Sequence, residues 1–242
     1  VEYDGPPLEP LDLYTRKSGA EIVGQLYNFT DKGGREVALR PEMTPTFARM
    51  VAARANALRR PVRWFSVPQL FRYERQQKGR LREHFQLNVD IVGEADVTAD
   101  AELLAVAIEI MRELGLTSAD VRARVSDRRL LAALLGAIGV AEAQLPAVYA
   151  AVDKIEREPR ESLERKLADA GVGPEVVSAL YALVRERDFA SVRAEFAGRP
   201  GVDEHLARMD AYLAALDALG VGEWVVVDLT IVRGLAYYTG ID

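Results

Sequence analysis

The chain has 242 residues, which is enough for one large domain or for a core plus a smaller module. Its residues are 49% hydrophobic and 28% charged, a composition typical of globular proteins. It has no cysteine and only two histidines, His84 and His205, which excludes disulfides, thiolate catalysis, zinc–sulfur sites and a metal cage of histidines alone. The net charge of −6 argues against nonspecific coating of nucleic acid, and the lack of a long apolar stretch or leader favours a soluble, cytoplasmic protein without a membrane partner.

The first predicted elements are a hairpin and a helix. Residues 25–30 alternate between polar and apolar side chains, and residues 35–40 return as their predicted partner strand. The Asp-Lys-Gly-Gly sequence at 31–34 predicts the turn between them, because glycine tolerates positive φ. A helix rich in alanine, methionine and arginine is predicted over residues 44–56.

Glu42 stands between the second strand and this helix, next to the fixed φ of Pro41. A carboxylate at a strand end can bind an ammonium group. The alternative is a helix-start acid favoured by the helix dipole, with Thr44 as the cap. Taken alone, the pattern favours this second interpretation.

The densest motif is a basic hairpin over residues 71–86, Phe-Arg-Tyr-Glu-Arg-Gln-Gln-Lys-Gly-Arg-Leu-Arg-Glu-His-Phe-Gln. Glu74 is the only acid between positions 72 and 82, and the cations there are Arg72, Arg75, Lys78, Arg80 and Arg82. Strands are predicted on both sides, over 63–70 and 85–92. Guanidinium groups interleaved with aromatic residues favour a polyphosphate ligand over a solvated loop, because arginine offers a planar, bidentate fork.

Gln86 and Asp90 lie four residues apart on the second of these strands, so their side chains are predicted to share one face. An amide and a carboxylate on a buried face can read a polar, cationic ligand. A solvent-facing row of the sheet fits equally well, and the spacing leaves the choice open. His84 fits either stacking on a base or a plain loop position.

A long helix and a short strand follow the basic hairpin. The helix is predicted to be capped by Thr98 or Asp100 and to run to Leu114, where Gly115 stops it. Residues 120–126 are predicted to form the strand.

Alanine, leucine, glutamate and arginine dominate residues 128–219 at helical spacing, which predicts five or six short helices and no strand. β structure is predicted to return at 223–230 and 232–240. A helical block between two β regions indicates an insertion into a single sheet domain. His205, inside this block, is interpreted as a surface residue.

The second dense motif is Val-Arg-Gly-Leu-Ala-Tyr-Tyr-Thr-Gly over residues 232–240. A strand here places Tyr237 and Tyr238 on opposite faces, and Gly234 allows close backbone approach. An ordinary strand with a bulge glycine is the alternative. Arg233 needs an anionic partner on entering an apolar strand, which favours a functional site.

These segments resemble the class II aminoacyl-tRNA synthetases, and specifically the histidyl-tRNA synthetase family. The resemblance is carried by Leu-Arg-Pro-Glu-Met-Thr-Pro at 39–45, by the basic hairpin at 71–86 and by the motif at 232–240. It implies an α+β fold, with a class II synthetase-type antiparallel sheet flanked by helices and a helical insertion domain.

The resemblance implies a catalytic core formed by residues 1–127 and 220–242, and an insertion domain at 128–219. The chain ends at Asp242, before the third motif and the anticodon-binding domain of the family, and starts near the end of the first motif. We therefore expect an incomplete catalytic core that is inactive by itself.

The resemblance also assigns roles to individual residues. The implied catalytic residues, which stabilise charge at the α-phosphate of ATP, are Arg72 and Arg233. The implied ATP-binding residues are Arg72, Glu74, Arg80, His84 and Phe85. The implied histidine-binding residues are Glu42, Thr44, Gln86, Asp90, Tyr237 and Tyr238. The family more often has Phe-His-Gln at positions 84–86, so which of His84 and Phe85 stacks on adenine stays open.

The implied reaction joins histidine to tRNA(His) through a histidyl-adenylate. The histidine carboxylate attacks the α-phosphorus of ATP in line, pyrophosphate leaves, and the adenylate esterifies the 3′ end of the tRNA. ATP is a substrate, Mg²⁺ accompanies it, and no protein metal ligand is implied. The expected partners are histidine, the acceptor end of tRNA(His) and a second copy of the chain in a homodimer.

A second hypothesis is a non-catalytic relative, the regulatory subunit of ATP phosphoribosyltransferase, which shares this fold and senses histidine. Such proteins tend to lose the motif arginines. This chain keeps Arg72, Arg80 and Arg233, which favours the ligase. A third idea, that residues 128–219 bind nucleic acid independently, is weaker because this block is not notably basic.

Overall fold

A computed structural model describes residues 1–73, 78–79, 81–186, 188–232 and 239–242. The chain divides into two compact units, Val1–Ala95 and Asp96–Asp242. The domain boundaries expected at residues 127 and 220 stay a prediction, because these units are defined by compactness and not by role.

The first unit combines antiparallel strands with two α-helices. The strands are β1 (Leu8–Pro10), β2 (Asn28–Thr30), β3 (Glu36–Leu39), β4 (Val62–Ser66), β5 (Gln69–Phe71), β6 (Glu83–Phe85) and β7 (Asn88–Val92), and the helices are α1 (Leu11–Ser18) and α2 (Thr44–Ala53). Strands β1 and β2 flank β3, β4 pairs with β7, and β5 pairs with β6, all antiparallel. A 3₁₀ helix occupies Ala20–Gln25.

The predicted turn at 31–34 is confirmed. Oδ1 of Asp31 accepts hydrogen bonds from the backbone N–H groups of Gly33 at 2.8 Å and Arg35 at 2.9 Å. Gly34 adopts φ +77°, a conformation that an L side chain rarely takes. The turn fixes the pairing of β2 with β3 and thereby the point at which β3 begins.

The strands predicted over 63–70 and 85–92 are each broken in two. Pro68 lies in the first break and has no N–H for the ladder, although its carbonyl oxygen accepts from the backbone of Gln86 at 3.2 Å. Gln86 therefore lies between β6 and β7. The prediction that Gln86 and Asp90 share one continuous strand is wrong.

The second unit is mainly helical. Its α-helices are α3 (Val97–Glu113), α4 (Arg128–Ala137), α5 (Leu145–Val152), α6 (Arg160–Asp169), α7 (Pro174–Tyr181), α8 (Phe189–Phe196) and α9 (Asp203–Ala218), and its strands are β8 (Ala123–Val125) and β9 (Val225–Val227). The described part of 128–219 thus forms six α-helices and no strand, as predicted. Short helical turns lie at Glu142–Gln144, Ala182–Glu186 and Gly222–Trp224. Strands β8 and β9 pair in parallel, in contrast to the antiparallel pairs of the first unit.

The cap predicted for α3 is wrong. Asp96 is the N-cap, with its side chain accepting from the backbone N–H of Thr98, whereas Thr98 and Asp100 lie inside the helix. A cap accepts from the N–H two or three residues further on, and Asp96 meets that condition one position before the buried Val97. The predicted end is close to the observed one, because Gly115 adopts φ +83° directly after Leu114.

The core of the second unit is built from helical faces of apolar residues. Helix α4 contributes Leu130, Leu131, Leu134 and Leu135, all fully buried, at the i, i+1, i+4, i+5 spacing of one face. Helix α9 adds Met209, Tyr212 and Leu216 to the same cluster and packs against α3. The leucine-rich pattern of the helical block is therefore explained by burial.

Candidate functional site

Arg40 fixes the junction around which several predicted site residues lie. Its side chain is 4% exposed, and Nε donates to the carbonyl oxygen of Gln69 at 2.9 Å. Nη1 donates to the carbonyl oxygen of Gly5 at 2.6 Å and to Oδ1 of Asp4 at 2.8 Å. One buried guanidinium therefore joins the end of β3 to the start of β5 and to the N-terminal segment.

Arg72 follows β5 and lies against the turn after β3. Its Nε donates to the carbonyl oxygen of Pro41 at 3.1 Å. Next to it, the backbone N–H of Phe71 donates to the carbonyl oxygen of Arg40 at 2.9 Å. These two contacts place a half-buried guanidinium beside the residue that precedes Glu42.

Glu42 lies in that turn, between β3 and α2, and holds a cation. Its Oε2 accepts from Nζ of Lys17 at 2.5 Å, and the lysine and glutamate side chains are 28% and 26% exposed. Lys17 belongs to the last turn of α1. The carboxylate is thus oriented to pair with an ammonium group, and a guanidinium lies close by.

Thr44 does not cap α2. The alternative interpretation, in which Glu42 is a helix-start acid and Thr44 is the cap, is therefore wrong about the cap. Helix α2 begins at Thr44 itself, with Met43 at the N-cap position and no side-chain cap hydrogen bond. Met43 is completely buried, and its packing places the helix start. Thr44 is exposed, two residues after Glu42.

Asp90 stands at the edge of an aromatic cluster. It lies directly opposite Trp64 in the β4–β7 pairing, so both side chains share a face. The ring centroid of Tyr3 is 5.5 Å from that of Trp64 and 5.4 Å from that of Phe47. The Tyr3 hydroxyl donates a long hydrogen bond of 3.5 Å to Oδ2 of Asp90.

Burial shapes the titration of this part of the unit. It raises the pKa of the Asp90 carboxyl, and the hydrogen bond from Tyr3 offsets part of the rise. Burial also raises the pKa of the Tyr14 hydroxyl to about 12. An acid whose charge is poorly solvated gains more from a cationic ligand than an exposed acid does.

His84 and Phe85 occupy opposite faces of β6. His84 is half-buried and lies opposite Leu70, which is fully buried, while Phe85 is 69% exposed and lies opposite Gln69. The neighbouring Gln86 side chain donates to Oδ1 of Asn88 at 3.3 Å. The structure therefore separates the two candidate adenine-stacking rings by exposure.

The base of the basic hairpin is closed by backbone and ring contacts. The backbone N–H of Arg72 donates to the carbonyl oxygen of Arg82 at 2.8 Å. The Arg82 guanidinium lies over the Tyr73 ring, 4.4 Å from its centroid, and Tyr27 meets the same ring edge-on at 5.1 Å. The interleaving of cations and aromatic residues in the sequence corresponds to actual packing at this position.

Several predicted site residues lie outside the described residues, namely Glu74, Arg80, Arg233, Tyr237 and Tyr238. Their roles stay predictions. The same holds for the predicted convergence of Arg72 and Arg233 on one triphosphate.

Sequence reasoning missed three residues at this site, namely Lys17, Tyr3 and Arg40. Lys17 reaches Glu42 from 25 positions away, and Tyr3 reaches Asp90 from 87 positions away. Nothing in the local pattern indicates either contact. Arg40 had a signal, because a lone arginine at the end of an apolar strand needs buried acceptors.

The described ranges contain no group of three or more histidine, aspartate or glutamate side chains that could hold a metal ion. None of the helices in those ranges is long and apolar enough to cross a membrane.

Comparison with known proteins identifies relatives over the whole chain. The family model described as histidyl-tRNA synthetase matches residues 4–242. A histidine–tRNA ligase from Opitutus terrae is 45% identical over 244 residues, covering 99% of this chain and 56% of that protein. The chain spans about half the length of the curated relatives it matches.

Solved structures agree on the fold. A histidyl-tRNA synthetase from Nostoc has a TM-score of 0.83 at 21% identity, covering 99% of this chain and 56% of that one. A Bacillus halodurans protein described as an ATP phosphoribosyltransferase regulatory subunit/histidyl-tRNA synthetase has a TM-score of 0.81 at 23% identity, covering 99% of this chain and 62% of that one. At 21% and 23% identity, the likeness to these two structures bears on the fold alone. It confirms the expected mixture of helices and antiparallel strands.

Proposed function

Because this chain belongs to the histidyl-tRNA synthetase family, we propose that it binds histidine and ATP and joins them as histidyl-adenylate. The histidyl group then passes to the 3′ end of tRNA(His). ATP acts as a substrate, and Mg²⁺ bound to its phosphates would offset part of their negative charge. The working unit in this proposal is a homodimer.

One observation carries the proposal: an ammonium-binding carboxylate and a guanidinium lie at the same turn. Glu42 binds the Lys17 ammonium group, and Arg72 donates to the carbonyl oxygen of the residue before Glu42. A free amino acid carries an ammonium and a carboxylate group on one carbon atom. A carboxylate and a guanidinium held at the same turn are complementary to that pair of charges.

The same arrangement supports the chemistry of the first step. The histidine carboxylate must approach the negatively charged α-phosphate of ATP, and a guanidinium between the two anions reduces their repulsion. Arg72 can donate to both, because its planar group has five N–H donors and Pro41 occupies only Nε. Pyrophosphate leaves with the electron pair of the broken P–O bond, so the step needs no protein nucleophile. Positioning and charge stabilisation supply the catalysis.

Recognition of the histidine side chain is proposed for Asp90 and Gln86. The roles of Tyr237 and Tyr238 in reading the imidazole are part of the proposal on sequence grounds. Burial raises the pKa of Asp90, and Tyr3 holds the carboxylate by a hydrogen bond. An imidazole N–H can donate to this carboxylate. Thr44, exposed at the start of α2, joins Glu42 at the amino group.

For adenine we propose stacking on Phe85, not on His84. The Phe85 ring is 69% exposed, whereas His84 is half-buried opposite Leu70. An exposed aromatic ring within the basic hairpin is suited to stacking on adenine. The roles of Glu74 and Arg80 on ATP, and of Arg233 at the α-phosphate, are part of the proposal on sequence grounds.

The test is histidine-dependent exchange of labelled pyrophosphate into ATP, measured on the protein in its full natural length. The proposal predicts exchange with histidine and none with other amino acids. Binding of histidine without exchange would instead indicate a regulatory, non-catalytic protein. Arg233→Ala is expected to abolish exchange while leaving ATP binding largely intact.

A further inference from the structure

The ammonium group on Glu42 comes from the protein itself. Nζ of Lys17 lies 2.5 Å from Oε2 of Glu42. In the proposed function this carboxylate receives the α-amino group of histidine, so lysine and substrate present the same chemical group to the same atoms. We propose that Lys17 is an internal competitor for the amino-group subsite, displaced when an amino acid binds. The inference rests on the proposed role of Glu42.

The position of Lys17 follows from the packing of α1. Tyr14, one turn earlier on the same helix, is 1% exposed and anchors α1 in the core with Leu26 and Ala38. Helix α1 packs against both β3 and α2, the elements on either side of Glu42. A lysine three residues after Tyr14 is therefore directed toward the turn that carries Glu42.

Displacement of Lys17 is physically easy. Its side chain is 28% exposed and has a flexible four-carbon stem, so the ammonium group can move away from Glu42. Glu42 loses no pairing in the exchange, because one ammonium group replaces another. The negative charge of the half-buried Glu42 is thus paired with an ammonium group in both the empty and the occupied site. This avoids the cost of an unpaired carboxylate.

Competition has a measurable consequence for affinity. A ligand that needs Glu42 binds only the fraction of molecules in which Lys17 has moved away, so the apparent Kd is raised by the reciprocal of that fraction. For a partly exposed ion pair this corresponds to about a twofold to sixfold weakening. A ligand without an amino group can bind while Lys17 remains in place. Lys17 therefore reduces the advantage in affinity that an amino group gives to a ligand.

The test measures the Kd of L-histidine by titration calorimetry on the wild type, Lys17→Met and Lys17→Arg. Arg16→Met is the matched control, because Arg16 is the adjacent cation of α1, is 79% exposed and pairs with Asp12. We expect Lys17→Met to tighten histidine binding by about twofold to sixfold, and Lys17→Arg and Arg16→Met to leave it near the wild-type value. Imidazolepropionate, which is histidine without its amino group, should gain nothing from Lys17→Met.

Weaker or unchanged histidine binding in Lys17→Met would overturn the inference, since Lys17 would then orient Glu42 or not engage it. Glu42→Gln separates this failure from failure of the proposed function. If Glu42→Gln binds histidine as well as the wild type, the assignment of the amino group to Glu42 is wrong, whatever Lys17 does. If the wild type does not bind histidine, both the inference about Lys17 and the proposed function are wrong.

A second readout follows the lysine itself. Acylation of the Lys17 amine, quantified by mass spectrometry, should increase when histidine releases it from Glu42. Imidazolepropionate should leave the labelling unchanged, and Lys154 in the second unit serves as an internal reference because its side chain is 48% exposed. Protection of Lys17 by histidine would contradict displacement.

Discussion

Arg72 and Pro41 are joined by a hydrogen bond from Nε to the backbone carbonyl oxygen, 3.1 Å long. This bond brings the first residue after β5 to the turn after β3, 31 positions earlier in the chain. It places a positive group at the carbonyl oxygen of Pro41, the residue that precedes Glu42. The proposed amino-acid site depends on this relationship.

The first prediction concerns the guanidinium of Arg72. Arg72→Lys keeps the charge but loses the Nε donor and the planar fork, so the adenylation rate should fall by about 10²–10³, as for other preorganised donors. Arg59→Lys is the matched control, because Arg59 is an exposed arginine of the same unit. Single-turnover adenylate formation is the measurement. Equal rates in Arg72→Lys and the control would show that the Arg72 guanidinium does not contribute to adenylate formation.

The second prediction concerns pH. Burial raises the pKa of Asp90 in the folded state, so the folded protein holds this proton more tightly than the unfolded chain does. The stability linked to Asp90 is therefore present at low pH and is lost as the pH rises through the folded pKa. Asp90→Asn cannot ionise, so it should be more stable than the wild type at pH 7, with the advantage vanishing toward the ordinary carboxyl value of 3.8.

The same variant should bind histidine about tenfold or more weakly, since a hydrogen bond to a charged group is lost. Denaturant unfolding between pH 4 and pH 8 measures the first effect, and calorimetric titration measures the second. Asp31→Asn is a useful contrast, because hydrogen bonds from Arg35 lower the pKa of Asp31 and the sign of its pH dependence should be opposite. A loss of stability in Asp90→Asn at pH 7 would refute the burial argument.

The third prediction concerns the fold of the second unit. Asp127 is fully buried and caps α4, with Oδ1 accepting from the backbone N–H of Arg129 at 2.7 Å, while Oδ2 accepts from Nε of Arg208 at 3.2 Å. Asp127→Ala removes both contacts and should lower the free energy of unfolding by about 2–4 kcal/mol. Asp127→Asn keeps a cap acceptor and should lose about half as much. Equal losses in urea unfolding would show that the cap contributes nothing.

Local chemistry makes part of the fold predictable. The turn at 31–34 is predictable because Asp and Gly impose specific backbone conformations. The helices of 128–219 are predictable from alanine, leucine, glutamate and arginine at helical spacing. Pro68 is the local signal for the strand break that the alternating pattern hides, because proline cannot donate to the ladder. The parallel pairing of β8 with β9 is not readable, because the two strands lie far apart in the chain and ladder hydrogen bonds are not side-chain specific.

The candidate site is also predictable only in part from the sequence. Charge pattern and family resemblance are enough to indicate Glu42, Arg72 and Asp90 from the sequence. The contacts that hold them come from distant backbone, as with Pro41, or from distant side chains, as with Lys17. Such pairings depend on how helices and strands pack and leave no periodic trace in the sequence.

The central claim is that Glu42 and Arg72 together bind the two charges of an amino acid. Its most direct test is a thermodynamic cycle across protein and ligand, using the Kd values of histidine and imidazolepropionate for the wild type and Glu42→Gln. We predict that loss of the amino group weakens wild-type binding about tenfold or more but hardly affects Glu42→Gln, a strongly non-additive result. A matching cycle pairs Arg72→Ala with histidinol, which lacks the carboxylate. Identical weakening in the variant and in the wild type would contradict the claim.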